Sequence, residues 1–256
     1  HAKTTPYPQT TPSLDWSLYN LHHQYHKSGG ILYKQSILTP HEYTSIMEEW
    51  TSMHLTLMEE LESSFATKRI GCRISNDSEI YRILSCPEGS LCKLLNGLEA
   101  WDEEDREQGR MVIAPDVPIE LRIYEKAGAG MEWHTDDILY NPPQVEVVLT
   151  LENNSDCCTM WKPRKGIQHL EEGETTHHHG AIESVQTTPN SGLILKAGGV
   201  EHKVSPLGMG RRVILKLAFV REGALMLEDM AMHASHHKNK SDRKSRNQRK
   251  IPSRKR

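Results

Sequence analysis

Long apolar runs are absent from the sequence. Apolar residues make up 36% of the 256 residues, and the mean hydropathy is −0.62. No window approaches the ~18–20 uninterrupted apolar residues that a membrane-spanning helix needs, so a helical membrane protein is excluded. Cysteine is scarce as well, because five irregularly spaced residues are too few for a disulfide scaffold. Whether one pair among Cys72, Cys86 and Cys92 forms a disulfide stays open at this point.

The charges are unevenly distributed. The whole chain has a formal net charge of −3, but residues 236–256 hold ten Lys or Arg and one Asp. This segment carries +9, which leaves −12 on residues 1–235. The tail over residues 226–256 is predicted to be disordered, since it has no apolar period with which to form a core. The basic tail suits contact with nucleic acid or an acidic partner, and a purely solubilising role is the alternative.

The two ends are expected to lie outside the main domain. Residues 1–30 are rich in Thr, Pro, Ser and His, which predicts an irregular N-terminal segment. The sequence begins at His1 rather than Met, which leaves two compartments open. A removed signal peptide would place the protein in the secretory pathway or endoplasmic reticulum, whereas the basic tail suits the nucleus.

Residues 31–110 show the signals of a strand and two helices. Residues 31–33 predict a short strand, and Thr39-Pro40-His41-Glu42 predicts a helix start with a capping box. Apolar residues then recur every three or four positions, which predicts a helix through about Phe65. A second short helix is predicted over 91–101, and the acidic run 102–105 is interpreted as solvated surface.

From Val112 onward the pattern changes: apolar residues alternate with polar ones over 119–123 and 145–151, and short apolar runs follow at 193–195 and 213–220. These segments predict a series of short strands separated by Gly, Pro and Asn turns. Short strands without intervening helices favour a sandwich or barrel over a parallel sheet. The fold class is therefore predicted as mainly β with flanking α-helices, which pack on the outside of the β core.

A candidate metal site lies among these strands. His134 and Asp136 are two residues apart, so they project to the same face if both lie on one strand. His202, on a later strand, completes two imidazoles and one carboxylate. This set leaves coordination positions open on the metal and is the facial triad of non-haem Fe(II) oxygenases. Asp137 is expected to point outward, and His177-His178-His179 is interpreted as a solvated loop rather than a metal site.

Tyr124 and Arg212 flank this site in the sequence. Arg212 begins the most apolar strand, where an unpaired charge is costly and requires an anionic partner. A dicarboxylate can supply that partner through bidentate hydrogen bonds. Arg211 and Arg212 alternate in facing, so only one of them can point into the barrel.

The motifs resemble those of a known family. Tyr124-x9-His134-x-Asp136, followed by His202-x-Val204-x-Pro206-x3-Gly210-x-Arg212, resembles the Fe(II)/2-oxoglutarate-dependent dioxygenases. The prolyl 4-hydroxylase-like branch is the most similar one. The resemblance implies a double-stranded β-helix core of the jelly-roll or cupin-like type over about residues 112–221, within a domain spanning 31–225. It is weakest over 152–185, where substrate specificity is expected to lie.

The resemblance also implies the cofactors and the reaction. Fe(II) would be held by His134, Asp136 and His202. The far carboxylate of 2-oxoglutarate would bind Arg212 and the Tyr124 hydroxyl. The resemblance also suggests ascorbate as an accessory cofactor. The expected reaction consumes O2, releases succinate and CO2, and hydroxylates a peptidyl proline or a small molecule.

Two other functions stay open from the sequence. Oxidative demethylation of nucleic acid is suggested by the basic tail, although a body with a charge of −12 is a poor surface for a polyanion. The third hypothesis, from a different class, is a β-barrel that binds a ligand or partner without turnover. A charge-transfer band that requires both iron and 2-oxoglutarate would distinguish the enzyme from such a binding protein.

Overall fold

The computed structural model describes residues 16–59, 65–99, 109–163 and 181–228. The helices in these ranges are α1 (Trp16–Lys27), α2 (Pro40–Ser52), α3 (Glu79–Leu84) and α4 (Ser90–Glu99). The strands are β1 (Ile31–Gln35), β2 (Met58–Glu59), β3 (Ala66–Thr67), β4 (Ile70–Arg73), β5 (Met111–Ile113), β6 (Glu120–Tyr124), β7 (Gly130–His134), β8 (Tyr140–Asn141), β9 (Val145–Asn153), β10 (Thr159–Trp161), β11 (Glu183–Val185), β12 (Ser191–Lys196), β13 (His202–Val204), β14 (Arg212–Arg221) and β15 (Leu225–Met226).

Two antiparallel sheets form the body of the protein. The larger sheet has eight strands in the order β1-β12-β9-β14-β6-β4-β2, with β5 pairing with the far end of β14. The smaller sheet has five strands in the order β11-β10-β13-β7-β3, and β8 and β15 form a separate pair. This arrangement confirms the predicted fold class, a β core with helices on its outside.

The large sheet is buried on both faces, but the two faces contact different layers. One face and the helices form the main apolar core, which includes Ile46 of α2, Leu95 of α4, Leu149 of β9 and Leu215 of β14. The opposite face meets the small sheet through smaller clusters, one of which joins Tyr124 to residues of β13 and β14. The functional residues described below lie on this inner side.

Helix α2 begins as the sequence predicts and ends earlier. The Thr39 side chain accepts a hydrogen bond from the Glu42 N–H and Glu42 bonds back to Thr39, which completes the capping box. The prediction that the helix continues to about Phe65 is wrong, because it ends at Ser52. The Thr51 and Ser52 hydroxyls donate to carbonyls in the last turn, a contact that competes with further helix formation. The chain beyond then pairs as β2 with β4.

The N-terminal segment is not irregular throughout, so that prediction needs correction. Residues 16–27 form helix α1, which the Thr- and Pro-rich composition of the preceding residues obscured. Tyr25 is completely buried, and Leu18 and Leu21 pack against the main core. This spacing of three and four residues is the helical signal that the sequence analysis missed.

The remaining predictions concern the tail, the acidic and histidine runs, the cysteines and membrane-spanning helices. The predicted start of the disordered tail at residue 226 is too early, because Met226 of β15 pairs with Tyr140 of β8. The tail lies outside the described residues from 229 onward, as do the acidic run 102–105 and the His177-His178-His179 run. All five cysteines are described and are free thiols. No helix in the described ranges is long and apolar enough to cross a membrane.

Candidate metal centre

The three predicted metal-ligating residues meet between two neighbouring strands. His134 is the last residue of β7 and pairs directly with His202, the first residue of β13. Asp136 lies two residues beyond the end of β7, in the following loop rather than on the strand, contrary to the same-strand assumption. The ligand atoms of the three side chains all lie within 4.8 Å of one another. The structure therefore brings together two imidazoles and a carboxylate in one cluster.

Backbone hydrogen bonds orient both imidazoles. Nδ1 of His134 lies 2.9 Å from the Glu132 carbonyl oxygen, and Nδ1 of His202 lies 3.3 Å from the Val200 carbonyl oxygen. Because a carbonyl only accepts hydrogen bonds, each Nδ1 must carry the proton, which leaves each Nε2 as a free lone pair. This is the tautomer that binds a metal through Nε2.

The electrostatics favour the ligand form of each group. Burial lowers the pKa of His202 to about 4, although Asp136 acts in the opposite direction. Burial likewise lowers the pKa of His134. For Asp136, burial alone would raise the pKa, but Lys216 and the two histidines outweigh it and lower the pKa. Two neutral imidazoles and an ionised carboxylate are the forms that coordinate a divalent metal.

Lys216 is a neighbour of this cluster that sequence analysis did not identify. Its Nζ lies 2.9 Å from Oδ1 of Asp136 and 3.7 Å from Oε2 of the buried Glu146. Oδ2 of Asp136 faces Nε2 of His202 at 3.6 Å. Lys216 therefore occupies one carboxylate oxygen while the other faces the imidazoles. Lys216 could have been found in the sequence, because it is a charged residue within the apolar run of β14, four positions after Arg212 and on the same face of the strand.

Arg212 and Tyr124 lie side by side on neighbouring strands of the large sheet. They are directly paired between β14 and β6, and each is 1% exposed. Nε and Nη1 of Arg212 have no hydrogen-bond partner among the described residues. Burial lowers the pKa of Arg212, while the neighbouring Tyr124 acts in the opposite direction. Two unpaired nitrogens on a buried guanidinium fit a carboxylate as the missing partner.

Arg211 faces away from this inner side. It is partly exposed and pairs with Glu125 and Glu152 at 3.6 and 3.3 Å. The opposite facing of the two arginines follows from the alternation of side chains along a strand. Of the two, the structure places Arg212 in the interior, and Asp137 is exposed.

Phe65 and Arg69 also adjoin the site, and the sequence carried no local signal for either. The Phe65 ring stacks on His134, with centroids 5.3 Å apart and the planes 18° from parallel, yet 57% of Phe65 remains exposed. Arg69 is buried, and its Nη1 donates to the Tyr124 hydroxyl at 3.0 Å. Both contacts join residues more than 50 positions apart, so only the folded chain reveals them.

The two groups of residues lie between the same sheets. Tyr124 packs in one apolar cluster with Val204 of β13 and Met131 of β7. These are the strands that carry His202 and His134. The strands that carry the candidate metal ligands and the partner strand of the buried arginine thus pack against one apolar cluster.

Comparison with known proteins gives matches in structure but not in sequence. No protein-family model matches the chain, and no curated protein matches it in sequence. Among solved structures, the non-haem alpha-ketoglutarate-dependent epimerase SnoN from nogalamycin biosynthesis is similar with a TM-score of 0.61. The sequence identity is 12%, and 82% of each chain is covered.

Two prolyl hydroxylases are also similar. The prolyl-4-hydroxylase of Pseudomonas putida has a TM-score of 0.56 and 15% identity, with 80% of this chain and all of that chain covered. The Trichoplax adhaerens prolyl hydroxylase, in complex with a hypoxia-inducible factor oxygen degradation domain peptide fragment, has a TM-score of 0.52 and 15% identity. The match covers 82% of this chain and 95% of that chain. The chain thus has the double-stranded β-helix fold of the Fe(II)/2-oxoglutarate oxygenases.

Proposed function

We propose that the protein is an Fe(II)- and 2-oxoglutarate-dependent dioxygenase that hydroxylates a peptidyl proline or a small molecule. One observation carries the proposal: the His134, Asp136 and His202 cluster and the unpaired guanidinium of Arg212 lie between the same two sheets. A metal-binding triad alone fits many sites, and a buried arginine alone fits many anions. Together they match a ligand that chelates a metal at one end and carries a carboxylate at the other.

The donor set fits Fe(II). His134 and His202 present Nε2, and Asp136 presents Oδ2 because Lys216 occupies Oδ1. Two imidazoles and one carboxylate leave open positions on the metal for a cosubstrate and O2. The three residues would hold Fe(II), and their backbone and side-chain partners keep them oriented before it binds.

Arg212 and Tyr124 would bind the distal carboxylate of 2-oxoglutarate. Arg212 supplies the charge and two N–H donors, and Tyr124 supplies a hydroxyl. The surrounding apolar cluster excludes water, which strengthens these interactions. When bound, Fe(II) and 2-oxoglutarate supply the oxidising chemistry, in which O2 converts the cosubstrate to succinate and CO2 while one oxygen atom enters the substrate.

The substrate would approach past Phe65. This exposed ring lies against His134, so it forms part of the wall beside the metal ligands. An apolar, half-exposed wall suits a ring such as proline or the hydrocarbon part of a small molecule. The similar solved structures include enzymes of both kinds, since one was solved with a peptide and another is an epimerase.

The test is succinate formation and substrate oxidation by the full chain. Wild-type protein with Fe(II), 2-oxoglutarate and a panel of proline-containing peptides and metabolites is expected to form succinate and add one oxygen atom to one panel member, as measured by mass spectrometry. His134→Ala and Asp136→Ala should each lower succinate formation by at least about 100-fold, since each removes a metal ligand.

Matched controls separate metal ligation from general damage. Asp137→Ala changes the exposed neighbouring carboxylate, and His54→Ala changes an exposed histidine, so both should retain activity. Wild-type turnover by His134→Ala, or the absence of any 2-oxoglutarate-dependent iron spectrum in wild type, would contradict the proposal. The second result would favour a binding protein without turnover.

A further inference from the structure

Three buried side chains form a row across the large sheet. Arg212 of β14 pairs with Tyr124 of β6, and β6 pairs on its other side with β4 through Ile123 and Ile70. Continuing this register by one residue places Arg69 opposite Tyr124. Arg69 is 2% exposed, and Tyr124 and Arg212 are 1% exposed each. Tyr124 thus lies between two arginines from strands on either side.

The contact between Arg69 and Tyr124 fixes the direction of the tyrosine proton. Nη1 of Arg69 lies 3.0 Å from the Tyr124 hydroxyl oxygen. Because a guanidinium only donates hydrogen bonds, the hydroxyl must accept this one. The proton of the hydroxyl then points away from Arg69 and is available to another acceptor.

The two arginines approach Tyr124 similarly. Each guanidinium carbon lies 5.7 Å from the centre of the Tyr124 ring. Burial lowers the pKa of Arg212, and the positive charge of Arg69 adds to that effect. An anion beside Arg212 and Tyr124 would offset this repulsion as well as the cost of burial.

The local backbone is shaped to place Arg69 here. Lys68, just before it, has a φ of +53°, a conformation that side chains other than glycine adopt at a cost. The Lys68 ammonium donates to the Ala127 carbonyl at 2.9 Å. Just after it, a Cβ at Gly71 would lie 2.4 Å from the Leu121 carbonyl oxygen, so only glycine permits this close approach of β4 to β6.

We propose that Arg69 is a positioning residue for cosubstrate binding, which holds the Tyr124 hydroxyl as a hydrogen-bond donor toward the carboxylate bound by Arg212. The inference rests on the proposed function, because it takes that carboxylate to be the distal end of 2-oxoglutarate. Arg69 itself acts through Tyr124. Its substitution should therefore change binding of the distal carboxylate more than binding of the end of the ligand at the metal.

Two 2-oxo acids separate these ends of the ligand. 2-Oxoglutarate carries the distal carboxylate, whereas 2-oxopentanoate has the same chain length and a methyl group in its place. Each is titrated into the Fe(II)-loaded full chain without O2, and the charge-transfer absorption gives its dissociation constant. Arg69→Met is expected to weaken 2-oxoglutarate binding about tenfold, the size of one charge-assisted hydrogen bond, and to leave 2-oxopentanoate binding within about twofold.

A double-mutant cycle distinguishes positioning from independent effects. Tyr124→Phe should weaken 2-oxoglutarate binding similarly, and adding Arg69→Met to Tyr124→Phe should cause no further loss. Arg73→Met, a change at the exposed end of the same strand, is the matched control and should bind both acids like wild type. Full additivity of the two losses would overturn the proposal, as would wild-type affinity in Arg69→Met.

Failure of folding and failure of the proposed function have separate signatures. If Arg69→Met does not fold, Arg69→Lys replaces it in the cycle. Arg69→Lys is then expected to weaken 2-oxoglutarate binding when Tyr124 is present and to cause no further loss of affinity in Tyr124→Phe. Equal losses in both backgrounds would overturn the inference. If wild type shows no charge-transfer band with either acid, the proposed function is wrong, whereas normal wild-type binding with an unaffected Arg69 variant contradicts the inference alone.

Discussion

The two faces of strand β14 show contrasting chemistry within ten residues. Toward the helices, the strand presents apolar side chains that belong to the main core: Val213, Leu215, Leu217 and Phe219. On the opposite, inner face, alternation along the strand places Arg212, Ile214, Lys216 and Ala218. Both charged residues of this inner face contact the candidate site, Lys216 through Asp136 and Arg212 through the Tyr124 ring.

The difference between the faces separates stability from function. The helix-facing side gains free energy by removing apolar surface from water. The inner side buries a guanidinium whose Nε and Nη1 are unpaired, which opposes folding. Such groups are favourable only when a ligand or metal supplies the missing partner. Removal of this unpaired charge should therefore change stability in the opposite direction to removal of an apolar side chain on the helix-facing side.

The largest effect is expected on the helix-facing side. Phe219→Ala removes a completely buried ring from the main core and should lower the free energy of unfolding by about 3–5 kcal/mol. Denaturant unfolding measures this, with Leu225→Ala, at a mostly exposed position, as the control expected within about 0.5 kcal/mol of wild type. A small loss in Phe219→Ala would mean that this face is not the principal core.

On the inner face, Arg212→Met should act in the opposite direction. Removal of a buried, partly unpaired charge is expected to raise the free energy of unfolding of the ligand-free protein by about 1–3 kcal/mol. The same change should abolish the further increase in melting temperature that 2-oxoglutarate gives the Mn(II)-loaded wild type. A strongly destabilised Arg212→Met would contradict the contrast between the two faces.

Lys216→Met tests the other charged group on that face. Burial lowers the pKa of Lys216, but the Glu146 and Asp136 carboxylates outweigh it and raise the pKa, so the lysine stays protonated. Its loss leaves both carboxylates without their cation and should lower the free energy of unfolding by about 1–2 kcal/mol.

The readout for Lys216→Met is thermal unfolding with and without Mn(II). The metal is expected to raise the melting temperature more in this variant than in wild type, because it replaces the lost positive charge beside Asp136. Lys93→Met, at an exposed lysine, is the control and should respond to Mn(II) like wild type. An equal response in Lys216→Met and wild type would show that the lysine and the metal act independently.

The smallest effect concerns a carboxylate far from the inner face. Glu42 accepts hydrogen bonds from Thr39 and from the Ser90 N–H, which joins the start of α2 to the start of α4. Burial acts to raise the pKa of Glu42, but these hydrogen bonds outweigh it and lower the pKa below its usual 4.5. Glu42→Gln should lower the free energy of unfolding by about 0.5–1 kcal/mol at pH 7.

The contribution of the Glu42 carboxylate to the free energy of unfolding should depend on pH. A carboxyl whose pKa is lower in the folded state than in the unfolded state stabilises the fold at pH values above the unfolded-state pKa. This contribution is lost as the pH falls through the folded-state pKa. The difference between Glu42→Gln and wild type should therefore shrink below about pH 4.5. The exposed Glu48 of the same helix supplies the control variant Glu48→Gln, which should show no such difference.

Local patterns predicted the parts of the fold that depend on local chemistry. The capping box at Thr39 and Glu42 formed because its partners are three residues apart. The alternation along β6 and β9 predicted strands there because side chains alternate along a strand. The same local argument failed for the end of α2, where pairing between β2 and β4 decides the conformation, and for α1, whose Leu18 and Tyr25 pack against distant residues.

The sequence by itself determined the chemical identity of the candidate site. It supplied two histidines and a carboxylate at spacings compatible with one metal, and an arginine at the start of an apolar strand. Only the tertiary structure decided which atoms face one another. The pairing of His134 with His202, the contact of Lys216 with Asp136 and the row of Arg69, Tyr124 and Arg212 all join positions far apart in the chain. Such contacts follow from strand order and register, which are fixed by burial of the whole sheet and not by any one segment.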